Sequence, residues 1–205
     1  MSRESGYLIK PFSIWVFGNI LGFGALGALA LVLPSLVPTP GMVASILIIS
    51  IPISLAQWIA LRRILPTSAL WVLTTPIGLL LAVLIYKYEV IPDGLWRIVG
   101  EIVGDEGDES TAVITALYLV MGFTVGLPQW LILRRRFSSS SLWLLGSSIG
   151  VAAGCWLVLV TDLINQSGVI AYIVGVLVYA IVTGLILSRL VACHNQSQAN
   201  QVNAT

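Results

Sequence analysis

The chain has 205 residues, of which 58% are hydrophobic and only 9% are charged, and its mean hydropathy is +0.99. Soluble domains carry about 25% charged residues, so this composition excludes an ordinary water-soluble domain and indicates an integral membrane protein in a lipid bilayer. Ten Lys and Arg residues with a net charge of +1 are too few to build a surface that follows nucleic-acid phosphates. We therefore expect no nucleic-acid partner.

Six apolar segments follow one another along the chain. A bilayer core about 30 Å thick requires roughly 20 apolar helical residues. No charged residue occurs from Pro11 to Leu61, and a Pro/Gly cluster at residues 34–41 divides this stretch into two helices. The predicted spans are residues 12–37, 41–62, 68–91, 111–134, 140–163 and 168–192, within a single transmembrane domain at residues 1–193.

The spans carry a pattern that occurs three times. Residues 57–63 (QWIALRR) end the second span, residues 129–135 (QWLILRR) end the fourth, and residues 183–189 (TGLILSR) are a weaker version at the end of the sixth. Each odd span has a Trp near its start and a Gly seven residues later, the pairs being Trp15 and Gly22, Trp71 and Gly78, and Trp143 and Gly150. The predicted fold class is therefore all-α integral membrane, with six transmembrane helices arranged as three tandem helical hairpin repeats.

Charge is segregated between the two sides of these spans. The side that holds both termini carries eight of the ten basic residues, namely Arg3, Lys10, Arg62, Arg63, Arg134, Arg135, Arg136 and Arg189. The opposite side carries eight of the nine acidic residues. The positive-inside rule therefore predicts that both termini are cytoplasmic.

Two polar segments lie outside the spans. The loop at residues 92–110 is extracytoplasmic and acidic, and apolar residues at helical spacing between Leu95 and Val103 predict a short amphipathic helix at the membrane surface. The tail at residues 194–205 contains no Asp, Glu, Lys or Arg, and we expect it to be disordered in the cytoplasm.

Aromatic, basic and small residues occupy regular positions at the helix ends. Tryptophan and arginine side chains there are typical interface anchors, and the predicted anchors are Trp15, Trp58, Trp71, Trp130, Trp143, Arg62, Arg63, Arg134 and Arg135. Small residues four positions apart let a neighbouring backbone approach closely. The predicted helix-packing residues are Gly18, Gly22, Gly78, Gly146, Gly150 and Gly154.

Six polar residues recur one to two turns inward from the cytoplasmic ends of the spans. They are Asn19, Gln57, Thr75, Gln129, Ser147 and Thr183, and together they predict a polar layer. An amide in hydrocarbon needs a hydrogen-bonding partner. The layer has two interpretations: three structural clamps, each joining an even helix to an odd one, or the lining of a polar vestibule or ligand site.

No charged residue or histidine lies centrally in any span, and no nucleophile is paired with a base. We therefore predict no catalytic, cofactor-binding or metal-binding residues and a non-enzymatic protein. The first hypothesis is a scaffold, assembly factor or accessory subunit that acts through helix packing with a membrane-protein partner or as a homo-oligomer. The alternative is a small passive transporter or channel for a neutral or lipid-like solute, with the polar layer as its lining.

The repeated Gln-Trp-x-x-Leu-Arg-Arg helix end, followed by a polar turn and Leu-Trp, resembles uncharacterised multi-pass membrane proteins of cyanobacteria and related bacteria. The resemblance is strongest over residues 54–85 and 126–160. It implies a bacterial inner (plasma) membrane or thylakoid location, and it implies no activity and no catalytic residue.

The predicted orientation can be tested by labelling cysteines in a background in which Cys155 and Cys193 are replaced by serine. A cysteine at Asp105 should react with a membrane-impermeant maleimide from the extracytoplasmic side. A cysteine at Ser139 should react only from the cytoplasmic side. Labelling of the Asp105 position from the cytoplasmic side alone would contradict the orientation.

Overall fold

A computed structural model describes residues 3–36, 42–65, 68–87, 109–165 and 168–203 of the chain. These residues form six α-helices and contain no β-strand. The helices are α1 (Arg3–Leu36), α2 (Met42–Leu61), α3 (Trp71–Lys87), α4 (Glu109–Leu133), α5 (Leu142–Asn165) and α6 (Gly168–Asn203). The all-helical class predicted from the sequence is therefore confirmed for the described residues.

Each helix overlaps one predicted span, although α1 begins at Arg3 and α6 ends at Asn203, outside the predicted limits. Three contain segments long and apolar enough to cross a membrane, which are Ile9–Leu26 in α1, Ile114–Leu133 in α4 and Gly168–Ala199 in α6. The other three contain the shorter apolar segments Ser50–Leu61, Trp71–Ile85 and Leu142–Val158. Apolar helices of these lengths are typical of a membrane protein.

The six helices form a closed ring. Each helix packs against the helices that precede and follow it in the chain, and α1 packs against α6. These are the helix pairs in contact within the described residues. The α1–α6 contact joins the first helix to the last and closes the ring. One face of every helix therefore points toward the axis of the ring.

The turns that follow α2 and α4 have the same construction. The backbone N–H of Leu65 donates to the Leu61 carbonyl at 2.7 Å, and that of Phe137 donates to the Leu133 carbonyl at 3.0 Å. In both turns the donor residue buries its apolar side chain beneath the helix end. The preceding arginines are exposed, so each turn separates charge from the apolar core within a few residues.

The glycines predicted from the sequence allow close approach between helices. A Cβ atom on Gly18 would lie 2.6 Å from the Cβ of Ala60 in α2. A Cβ on Gly154 would lie 2.7 Å from the carbonyl oxygen of Gly175 in α6. Each of the other predicted packing glycines also faces the helix that follows its own. Gly22 faces α2, Gly78 faces α4, and Gly146 and Gly150 face α6. These predicted packing glycines therefore lie where each odd helix crosses the helix that follows it.

The structure corrects the expectation of a disordered tail. Helix α6 continues through His194 and ends at Asn203. No glycine or proline interrupts the chain after Gly184, and the uncharged side chains do not repel one another. The His194 ring also packs edge-on against Phe137, with ring centroids 5.5 Å apart. The predicted amphipathic helix of the loop lies outside the described residues.

Replacement of Gly78 by alanine should destabilise the protein. The new Cβ would meet the Val125 backbone and lie 2.6 Å from the Thr124 carbonyl oxygen, and neither can yield without a shift of α4. We expect a loss of about 1–3 kcal/mol, measured as a lower thermal unfolding temperature in mild detergent. Gly24→Ala is the matched control because no atom lies within 4 Å of its Cβ position. Equal stability of the two variants would contradict the packing.

Candidate functional site

Three tryptophans meet on the axis of the ring. The side chains of Trp15, Trp71 and Trp143 are each 0% exposed. Their ring centroids lie 5.4–6.3 Å apart, and all three pairs pack edge to face. Such contacts stabilise aromatic pairs by about 0.5–1.5 kcal/mol beyond the burial of their area. The three residues come from α1, α3 and α5, and we name this group the tryptophan cluster.

This burial corrects the prediction that these three tryptophans are interface anchors. An anchor keeps its ring among lipid headgroups on the outside of the bundle. These rings instead turn inward, because a closed ring of helices leaves space on its axis that large side chains must fill. The cluster is continued by further buried apolar residues, namely Leu61, Leu65, Leu133, Phe137, Leu187, Leu190 and Val191.

The tryptophans of the even helices have a different environment. Trp58 and Trp130 are half-buried. The guanidinium carbons of Arg62 and Arg134 lie 5.0 and 4.9 Å from their respective ring centroids, which is within the range of a cation–π contact. Arg63 and Arg135 are exposed beside them. The predicted anchors thus divide into buried axial tryptophans and peripheral tryptophan–arginine pairs.

The predicted polar residues all lie next to the tryptophan cluster. Asn19, Gln57, Thr75, Gln129, Ser147 and Thr183 are buried, with exposures of 7% or less. On every odd helix the polar residue follows its tryptophan by four positions, so it lies about 6 Å further along the axis. The structure therefore brings all six into one layer, which we call the polar layer.

Hydrogen bonds within two hairpins join an even helix to an odd one. The Gln57 amide Nε2 donates to Asn19 Oδ1 at 2.8 Å, which joins α2 to α1. The Gln129 amide Nε2 donates to Thr75 Oγ1 at 3.4 Å, which joins α4 to α3. Both contacts match the clamp interpretation of the layer.

Further hydrogen bonds cross from one hairpin to the next. Trp15 Nε1 donates to Thr183 Oγ1 at 2.9 Å, and Trp143 Nε1 donates to Gln129 Oε1 at 3.0 Å. Ser147 Oγ donates to the Gly122 carbonyl at 2.8 Å instead of bonding to Thr183. An axial tryptophan thus donates to the polar residue of the preceding even helix at two of the three junctions.

The third junction, between α2 and α3, lacks this bond. The indole Nε1 of Trp71 and the amide Oε1 of Gln57 are both buried, and neither has a hydrogen-bond partner. These are the donor and the acceptor that correspond to the bonded pairs at the other two junctions. A buried polar atom without a partner costs about 1–3 kcal/mol, so native proteins rarely retain one without a reason.

A cavity of about 320 Å³ lies on the far side of the polar layer from the tryptophan cluster. Every helix contributes to its wall, for example through Phe23, Ile53, Leu79, Val125, Val151 and Val176. Most of its lining is apolar, and Gln57 and Thr75 of the polar layer form part of it. This volume lies at the lower end of the range of about 300–1,000 Å³ that is typical of small-molecule sites.

Two tyrosines of α6 belong to the cavity, although the sequence interpretation did not single them out. The Tyr172 hydroxyl donates to the Phe23 carbonyl at 2.9 Å, and the Tyr179 ring packs edge-on against Phe23. The Tyr179 side chain also lies beside Gln57. The spacing of seven residues between the tyrosines places both on one helix face. This spacing is the sequence feature from which their shared position could have been predicted.

In the part of the chain that the structure describes, no three His, Cys, Asp or Glu residues converge as metal ligands. The polar groups near the axis are amides, hydroxyls and indoles. They can donate or accept hydrogen bonds, and they remain neutral. No protein-family model, curated protein or solved structure matches the chain.

The unequal hydrogen bonding of the axial tryptophans predicts unequal effects of the same substitution. Trp143→Phe leaves Gln129 Oε1 without its donor, whereas Trp71→Phe removes an indole N–H that has no acceptor. Both variants remove the same ring volume from the same cluster. We expect Trp143→Phe to lose about 1–2 kcal/mol more stability, measured by unfolding in mixed detergent micelles. Equal losses would contradict the assignment.

Proposed function

We propose that all six helices cross a bacterial inner or thylakoid membrane as three tandem hairpins, with both termini in the cytoplasm. The support is the apolar character of all six helices and the exposure of large hydrophobic side chains around the outside of the ring. The exposed arginines that follow α2 and α4 lie at the end of the ring that holds the tryptophan cluster. That end is cytoplasmic in this orientation.

We further propose that the protein binds a small, neutral, mainly apolar molecule in the central cavity. The observation that carries this proposal is the cavity itself, which is lined by all six helices and, among the described residues, by no charged side chain. A neutral wall disfavours ions, because a charge in low dielectric needs a partner. This is the lipid-like solute of the transporter hypothesis.

The position of the tryptophan cluster indicates how such a molecule would move. Its three fully buried rings fill the axis between the cavity and the cytoplasmic end. The protein therefore acts as a binding site closed on the cytoplasmic side, and passage of a solute requires the rings to separate. A passive carrier fits this arrangement better than an open channel, and the chain acts without catalysis.

The scaffold hypothesis depended on small-residue faces that a partner helix could approach. Those faces are used within the chain, since Gly18, Gly22, Gly78 and Gly154 contact neighbouring helices of the same ring. Accessory-subunit and homo-oligomer roles stay predictions that would need another surface. We prefer the binding function because the central cavity supports it and, within the described residues, no comparable surface supports the scaffold hypothesis.

A photoreactive alkyl diazirine without polar groups should label the cavity wall of the protein in lipid nanodiscs. Adducts at Met121, Cys155 or Tyr172, mapped by mass spectrometry, are the expected result because these residues line the cavity. Val151→Phe narrows the cavity and should reduce this labelling severalfold.

Leu145→Phe is the control, because Leu145 lies on the same helix and is 61% exposed on its outer side. It should leave cavity labelling unchanged. Adducts confined to outward-facing residues, with no response to Val151→Phe, would refute the binding function.

A further inference from the structure

We propose that Gln57 Oε1 accepts a hydrogen bond from the hydroxyl group of the bound molecule, so that the ligand class is a neutral aliphatic alcohol. The inference rests on the binding function proposed for the central cavity and identifies the chemistry of its ligand. Gln57 is 1% exposed, lines the cavity, and has an amide oxygen without a hydrogen-bond partner.

The orientation of the Gln57 amide follows from a chain of hydrogen bonds. Asn19 Nδ2 donates to the Trp15 carbonyl at 2.9 Å, and a carbonyl can only accept. Asn19 Oδ1 is therefore the atom that faces Gln57, and it must receive a donor. Gln57 Nε2 supplies that donor at 2.8 Å, which leaves Oε1 as the free end of the amide.

The corresponding acceptor atoms on the other two even helices each accept a hydrogen bond from an axial tryptophan. Gln129 Oε1 accepts from Trp143, and Thr183 Oγ1 accepts from Trp15. Both acceptors are occupied, and neither residue lines the cavity. Gln57 differs in both respects, so its amide oxygen is an unoccupied acceptor among the described residues at the inner end of the cavity. An amide oxygen recognises a donor group such as a hydroxyl and gains nothing from an ether or a hydrocarbon.

The rest of the cavity selects the remainder of the ligand. Its wall is formed mainly by aliphatic and aromatic side chains, and its volume of about 320 Å³ suits a short alkyl chain. A water molecule can also donate to Oε1, but it leaves most of the apolar wall without a contact. The hydroxyl of an alcohol donates to Gln57 Oε1, and its alkyl chain packs against the apolar wall. The Tyr179 hydroxyl lies at the same end of the cavity, where it interacts with the Gln57 side chain.

The proposal is tested by displacing the diazirine label with three chains of equal length. They are 1-decanol, methyl nonyl ether and n-undecane, compared at equal mole fraction in the nanodisc lipid. In the wild-type protein, 1-decanol should displace the label at an about five- to fiftyfold lower mole fraction than the other two, because only it can donate to Oε1. Equal displacement by all three compounds would overturn the proposal.

Two variants distinguish the loss of the acceptor oxygen from the loss of a stabilising hydrogen bond. Gln57→Leu should remove the advantage of 1-decanol while the hydrocarbon label still marks the cavity, which shows that the cavity is intact. Gln129→Leu also loses a clamp but has no contact with the cavity, so it should keep the advantage. An advantage that survives Gln57→Leu would overturn the proposal.

The failure of the underlying function has a different signature. If the hydrocarbon label marks no cavity residue in the wild-type protein, the binding function is refuted and the hydroxyl assignment with it. If the label marks the cavity and the three compounds compete equally, the binding function stands and only the role of Gln57 is refuted. A Gln57→Leu variant that does not fold leaves the wild-type comparison to decide.

Discussion

The contact between the first and the last helix is the constraint on which the rest of this structure depends. Trp15 of α1 packs against the other two axial tryptophans and donates a hydrogen bond to Thr183 of α6. Without this junction the six helices could lie side by side as an open row, and one face of each odd helix would be left to lipid. With it, those faces share an axis, the tryptophans become a core, and a cavity with a wall from all six helices exists.

Lipid tails are as apolar as the helices, so the hydrophobic effect does little to hold helices together inside a bilayer. Close approach at glycines and hydrogen bonds between helices must provide more of the stabilisation there. Both devices occur in this protein. Gly18 and Gly154 allow backbone contact with the following helix. The polar layer adds the Gln57–Asn19 and Gln129–Thr75 bonds within hairpins and two tryptophan bonds between them. Gln57 and Thr75 of the polar layer also line the cavity.

The junction between α2 and α3 departs from this regularity, and the departure is what points to function. Gln57 combines one satisfied amide nitrogen with one unsatisfied oxygen at the wall of the cavity. Proteins break local rules mainly where a function compensates for the cost. In the binding function that we propose, the nitrogen would hold the fold and the oxygen would accept from the ligand, so one residue of the polar layer would have both roles.

The sequence by itself determined the helical class, the approximate positions of the six helices and the membership of the polar layer. These properties depend on local features, namely apolar run length, breaking residues and the spacing of polar side chains along one helix. Only the tertiary structure decided that the axial tryptophans face one another, that Gln57 and Gln129 have different partners, and that a cavity lies beside Gln57. These depend on ring closure between residues 168 positions apart. A tryptophan near a helix end has the same local pattern whether it faces lipid or the axis, so no periodicity could distinguish the two.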